Sequence, residues 1–218
     1  MCGLAGYLSK QNTPVAPDVL LSKMADCIVH RGPDDFGIWH DSKTGIALAH
    51  RRLSVVDLSS AGHQPMHAAR GRYVMVFNGE IYNHSKLRSE LEASNNSLNW
   101  NGNSDTETLL AGFEEWGVED TLQRSIGMFA IALWDKQTNT LTLARDRIGE
   151  KPLYYGWQGN TFLFGSELKA MKAHPDFKAE IDRNALCLYM RHCYIPAPYS
   201  IYQGIAKLMP GCVLSISL

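Results

Sequence analysis

GMFAIALWD, residues 127–135, is apolar at every position from Met128 to Trp134. A strand with one wet face alternates apolar and polar side chains, and this stretch does not. Both of its faces must therefore be covered. The next residues, KQTN (136–139), form a turn. TLTLARD (140–146) then sets Leu141 and Leu143 against Thr140 and Thr142, the pattern of a half-buried strand. PLYYGW (152–157), QGN (158–160) and TFLFGSE (161–167) read as a second hairpin. Consecutive hairpins call for antiparallel sheets. A strand covered on both faces fits two stacked sheets with helices outside them, a four-layer α+β sandwich of αββα order. An open sheet with helices on both faces is the alternative.

Four segments have helical spacing. In 17–29, Leu21, Met24, Ala25 and Ile28 share a face, and Gly32-Pro33 ends the run. Leu87 and Leu91 are four apart in 84–93. In 105–116, Leu109, Leu110, Phe113 and Trp116 form a stripe that Gly117 closes, and Ser104 with Glu107 makes a capping box ahead of it. In 182–193, Leu186, Tyr189, Met190 and Cys193 recur at helical intervals. RYVMVFNG (72–79) reads as a strand that breaks at Asn78-Gly79. SNNSLNWNGNS (94–104) reads as a polar loop anchored by Trp100. The tail from 194, rich in Pro and Gly, reads as a connection followed by a short strand. Its final SISL (215–218) has no evident partner in the sequence and suggests a chain that continues into a further domain.

The chain has 218 residues, 45% apolar and 20% charged, with a formal net charge of -1. That balance gives no footprint for nucleic acid. Residues 1–30 have no signal-peptide pattern, and no window has the length of a membrane span. Five cysteines without a C-x-x-C pair point to a reducing, cytoplasmic setting. His63, His67 and His84 lack metal-ligand spacing, so no metal is expected. No phosphate-binding glycine loop occurs.

Four groups could carry chemistry. Cys2 is either a small residue opening a first strand or, once Met1 is removed, a nucleophile that also bears a free α-amine. Such an amine titrates near pH 7.7–8.0 and can act as a base. Gly3, Ala5 and Gly6 would then let a substrate approach the backbone. Asn78-Gly79 is either a hairpin turn or a side-chain amide beside a backbone N–H, the donor pair that an acyl-transfer oxyanion needs. Arg51 and Arg52 end a strand as a solvated pair or as a fork for a carboxylate. Asp105 is a helix-start acid or a seat for a substrate ammonium.

These pieces occur in a fixed order with HRGPDD (30–35), AHRRLSVVDLSSAGHQPM (49–66), FNGEIYNH (77–84), NSDTE (103–107), RDRIGEKPLYY (145–155) and GSELKAM (165–171). Together they resemble the N-terminal glutaminase domain of glutamine-hydrolysing asparagine synthetases, class II amidotransferases of the N-terminal-nucleophile type. The resemblance covers about residues 1–212. It implies the αββα fold, an amidotransferase domain over 1–193, and a 194–218 link to a synthetase domain that uses ATP and Mg. The glutaminase domain itself needs no cofactor. The resemblance gives Cys2 the attack on the side-chain amide of L-glutamine and gives Asn78 and Gly79 the oxyanion hole. Arg52 takes the substrate carboxylate, Asp105 with Glu80 nearby takes its ammonium, and Val55 and Val56 line the pocket through their backbones. It implies no nucleic-acid or membrane partner and admits a homodimer. Asn103 and Cys212 depart from the family pattern, outside the proposed catalysis.

Other readings stay open. The ammonia acceptor could be aspartate, a sugar or another acid. The fold could act on another acyl donor. A chain that keeps Met1 could be a non-catalytic regulatory domain.

Overall fold

The computed structural model describes residues 1–10, 15–55, 57–94 and 98–217. Its elements run β1 (Gly3–Ser9), α1 (Pro17–Asp26), β2 (Asp35–Asp41), β3 (Ile46–Arg52), β4 (Met66–His67), β5 (Tyr73–Ile81), α2 (His84–Ser94), α3 (Asp105–Glu115) and α4 (Val118–Arg124). Then come β6 (Gly127–Asp135), β7 (Thr140–Arg145), β8 (Tyr154–Gln158), β9 (Thr161–Gly165), α5 (Leu168–Lys172), α6 (Arg183–His192), β10 (Ile205–Lys207) and β11 (Val213–Ser217). Two sheets form, in the orders β10-β8-β9-β1-β3-β2 and β11-β7-β6-β5-β4. Every strand pairing is antiparallel.

The two-sided strand explains the layers. On β6, Ala130, Ala132 and Trp134 face the other sheet and pack with Leu4, Leu8, Ile46, Leu48, Val74 and Val76. Its alternate residues Phe129, Ile131 and Leu133 pack outward with Leu109, Leu110 and Phe113 of α3 and Leu87 of α2. On the far side, Leu20, Leu21, Met24 and Ala25 of α1 and Ala170 and Met171 of α5 cover Ala5, Tyr7, Ala47 and Ala49. The order is therefore helices, sheet, sheet, helices. Each buried large apolar side chain contributes roughly 1.5–3 kcal/mol to holding these layers.

Several local expectations change. Strand β5 does not break at Asn78-Gly79. It runs on to Ile81, with Asn78 opposite Ala130 and Gly79 opposite Phe129. No hairpin turn forms there, because β5 is held by β6 along its whole length. Gly3 and Gly6 serve packing rather than substrate approach. A Cβ at Gly6 would lie 2.4 Å from both Ala47 O and Phe164 Cζ, and one at Gly3 would lie 2.9 Å from Ile28 Cδ1. The capping box is half formed. Ser104 Oγ accepts from Glu107 N at 3.2 Å, but the Glu107 carboxylate accepts from Asn101 N and Gly102 N in the preceding loop. Gly117 closes α3 and also opens α4, a helix the sequence pattern did not announce.

The chain end is paired. β11 lies along β7, with Leu214 opposite Leu143 and Ile216 opposite Leu141. β10 lies along β8. The stripe on α6 faces outward: Leu186, Tyr189 and Met190 are exposed, and Ala185 is the buried residue of that helix. Ser94 ends α2, residues 95–97 of the predicted loop lie outside the described residues, and Trp100 is held against α2, with Arg88 4.0 Å above its ring and its Nε1 donating to Glu92 at 2.8 Å. No described helix is long and apolar enough to cross a membrane.

Candidate active site

Side-chain alternation carries the inner faces of both sheets to one end of the sandwich. On β1, Leu4 and Leu8 point between the sheets, and two residues before Leu4 comes Cys2. On β3, Ile46 and Leu48 point the same way and are followed at the same spacing by His50 and Arg52. Gly3 pairs with Arg51, so the next step of the ladder sets Cys2 opposite Arg52. On β5, Val74 and Val76 are followed by Asn78. The apolar inter-sheet core thus becomes polar at this end. A cavity of about 170 Å³ opens there, lined among others by Met1, Cys2, Arg52, Asn78, Gly79, Glu80, Asp105, Met128 and Lys151. A larger hollow of about 420 Å³, beside Ser9, Lys43 and Trp134 at the other end, contains none of the predicted residues.

The edge of β5 supplies the polar geometry. Phe129 donates to Asp146 Oδ2 and accepts from Asp146 N, so its backbone groups face away from β5. The Gly79–Phe129 pair is therefore of the non-hydrogen-bonded kind, and the Gly79 N–H points away from β6. Its strand neighbours on that side are occupied. Phe77 N donates to Gln64 Oε1 at 2.6 Å, Phe77 O accepts from His50 Nε2 at 2.9 Å, and Ile81 N donates to Asp105 Oδ2 at 2.9 Å. Gly79 lies between these residues and lines the cavity. Beside it, Asn78 is 1% exposed and its Nδ2 has no hydrogen-bond partner. A buried amide without a partner is costly, and a site that awaits an acceptor explains it. A Cβ on residue 79 would lie 2.3 Å from Met128 O, so glycine is required there.

Cys2 is held from both sides. Leu53 N donates to its Sγ at 3.4 Å, and Arg31 Nε donates to its carbonyl at 2.9 Å. Burial pushes the thiol above its ordinary pKa, against the pull of the Leu53 hydrogen bond and of Arg52. A thiol so placed needs a base to react. Arg31 is fixed in turn by Glu167, whose carboxyl is brought down to about 2: burial opposes its charge, but hydrogen bonds from Arg31, Lys169 and His30 outweigh burial. Ser166 clips β1 through both backbone groups of Leu4. Arg31 of HRGPDD and Ser166 and Glu167 of GSELKAM thus hold Cys2 and the start of β1 in place.

Arg52 is seated by two loop carbonyls, Ser59 O at 2.9 Å and Asp57 O. A Cβ on Gly62 would lie 2.0 Å from Arg52 Nη2, so a side chain there would push the guanidinium out of this seat. Burial pushes the Asp105 carboxyl above its ordinary pKa, while the Ile81 N–H pulls the other way. Glu80 borders the cavity in a half-buried position, and Val55 borders it while largely exposed. Val56 lies outside the described residues. Arg51 does not join this group and instead pairs with Asp26. His63 pairs with Asp35 at 2.8 Å. Among the described residues, no group of three or more His, Cys, Asp or Glu side chains is arranged to hold a metal.

The pattern alone did not single out His50, Gln64, Gly62 or Lys151. Each lies in a motif named above. The signal that could have found His50 is a polar residue continuing the apolar alternation of β3.

The family described as "Glutamine amidotransferase domain" matches residues 1–218. Asparagine synthetase [glutamine-hydrolyzing] 3 of Bacillus subtilis is 39% identical over 220 residues, covering 100% of this chain and 35% of that protein. Asparagine synthetase [glutamine-hydrolyzing] 1 of the same organism is 39% identical over 219 residues, covering 99% of this chain and 33% of its own length. The chain therefore spans about a third of the length of these relatives. The solved glutamine phosphoribosylpyrophosphate amidotransferase of B. subtilis superposes with a TM-score of 0.64 at 19% identity, over 79% of this chain and 43% of that one, a likeness of fold.

Proposed function

The chain belongs to the glutamine amidotransferase domain family, and from that premise we propose that Cys2, freed of Met1, hydrolyses L-glutamine to glutamate and ammonia. The observation that carries this reading is the buried, unpartnered Asn78 Nδ2 beside the Gly79 N–H, which points away from β6 at a residue that lines the cavity.

The Cys2 α-amine takes the thiol proton, and the sulfur bonds to the side-chain amide carbon of glutamine. The carbonyl electron pair moves onto oxygen, where Asn78 Nδ2 and Gly79 N–H receive it. The adduct collapses, the α-ammonium returns its proton to the leaving nitrogen, and ammonia departs from a glutamyl thioester. Water, deprotonated by the same amine, attacks the thioester and releases glutamate and the thiol. Arg52 receives the substrate α-carboxylate. Asp105 and Glu80 receive its ammonium, which offsets the cost of keeping Asp105 charged while buried. Val55 borders the substrate. Met1 must leave, because in its presence the Cys2 nitrogen is an amide and no base.

In a longer protein like the relatives above, the ammonia passes to a synthetase part that uses ATP and Mg to amidate aspartate. Five cysteines free of disulfides fit a reducing cytoplasm.

Ammonia release from glutamine tests the reading. Cys2→Ala abolishes it, and a diazo-ketone analogue of glutamine alkylates Cys2. Alkylation at Cys27 or Cys187 instead overturns the assignment.

A further inference from the structure

Lys151 is 6% exposed and borders the cavity that holds Cys2. Its position is fixed from both sides of its peptide. Lys151 N donates to Asp146 Oδ2 at 3.0 Å, and Lys151 O accepts from Arg145 Nε at 2.7 Å. Among the described residues no carboxylate pairs with its ammonium. The contact its Nζ makes is with the Met1 thioether, at 3.3 Å. A thioether is a weak acceptor, and an ammonium has three hydrogens to place. Removal of Met1 takes that partner away and leaves a cation without a carboxylate partner on the cavity that also holds the new N-terminus.

We propose that Lys151 is a positioning residue that keeps the freed Cys2 α-amine unprotonated near neutral pH, through the repulsion of one cation for another. The inference rests on the proposed glutaminase reading and adds a group to it. A like charge in a confined, partly desolvated site disfavours a second ammonium. The effect serves both halves of the cycle. A less basic amine is free to take the thiol proton before attack, and its conjugate acid gives that proton to the departing nitrogen more readily. The same cavity holds Arg52 from β3, Asp57 from the loop after it, Glu80 from β5 and Asp105 from α3, and Arg31 reaches the Cys2 carbonyl. All of these remain in a Lys151 variant, so a comparison between variants isolates the lysine.

The test uses protein shown by intact mass to begin at Cys2. The pH dependence of α-amine labelling by trace acetic anhydride reads the titration without turnover, and the acid limb of kcat/KM reads it with turnover. Lys151→Met moves both midpoints upward by about one pH unit, and Lys151→Arg leaves both near the wild-type value. Unmoved midpoints in folded Lys151→Met, or equal shifts in the arginine and methionine variants, overturn the role of Lys151. Wild-type protein that begins at Cys2 yet turns over no glutamine overturns the glutaminase reading instead, and the labelling midpoints still decide the lysine.

Discussion

His50 reaches from one sheet to the other, its Nε2 donating to Phe77 O at 2.9 Å. This bond joins β3 to β5 one residue before Asn78. Burial brings His50 down to about 4 from its ordinary 6.5, so it stays neutral through most of the acid range. Unfolded, it would bind a proton near 6.5. The unfolded state thus holds more protons between these values, and stability is lost as pH falls from about 6.5 towards about 4. The loss from this group is about 3 kcal/mol. His50→Gln keeps an N–H donor and removes the titration. Urea midpoints measured across this window should fall less steeply in the variant than in the wild type.

Asn78→Ala should separate stability from activity. The amide is buried without a partner, so removing it costs the fold little, unlike truncating an apolar core residue. Turnover of glutamine should fall by roughly 10²–10³ with the loss of one oxyanion donor. Thermal unfolding paired with ammonia release checks both. A large drop in stability would remove the distinction.

Gly62→Ala should act through Arg52, because the new Cβ would displace its Nη2. We expect the KM for glutamine to rise about tenfold, the scale of a weakened charged contact, with kcat changed less. Arg52→Lys should do the same, since one ammonium cannot match a planar fork. Steady-state kinetics read the split.

Asp105 carries a carboxyl pushed up by burial. Glutamine binding, measured by calorimetry on Cys2→Ala protein, should therefore weaken as pH falls, starting above the usual carboxylate range. Asp105→Asn should bind weakly at every pH and show no such slope.

Much of this was legible from side-chain types. The unbroken apolar run from Met128 to Trp134 called for two covered faces, and the sandwich supplies them. Period-two alternation also placed Thr140–Arg145 correctly. The course of the chain at Asn78-Gly79 was not legible, because Asn-Gly favours a turn in isolation and only pairing with β6 keeps it extended. The partner of the final strand was hidden for the same reason, since β7 precedes it by some seventy residues. The α6 stripe had the spacing of a core helix, yet spacing does not say what lies opposite. Of the site, Cys2, Arg52, Asn78, Gly79, Glu80, Asp105 and Val55 meet at one cavity. His50, Gln64, Gly62 and Lys151 make contacts across the fold, which no single stretch of sequence displays.

The most direct measurement is ammonia release from glutamine by two preparations distinguished by intact mass, one beginning at Met1 and one at Cys2. The protein beginning at Cys2 should turn over glutamine and gain one adduct, at Cys2, from a diazo-ketone glutamine analogue, while the Met1-bearing protein should do neither. Equal turnover by the Met1-bearing protein, or an adduct on any other cysteine, would contradict the account.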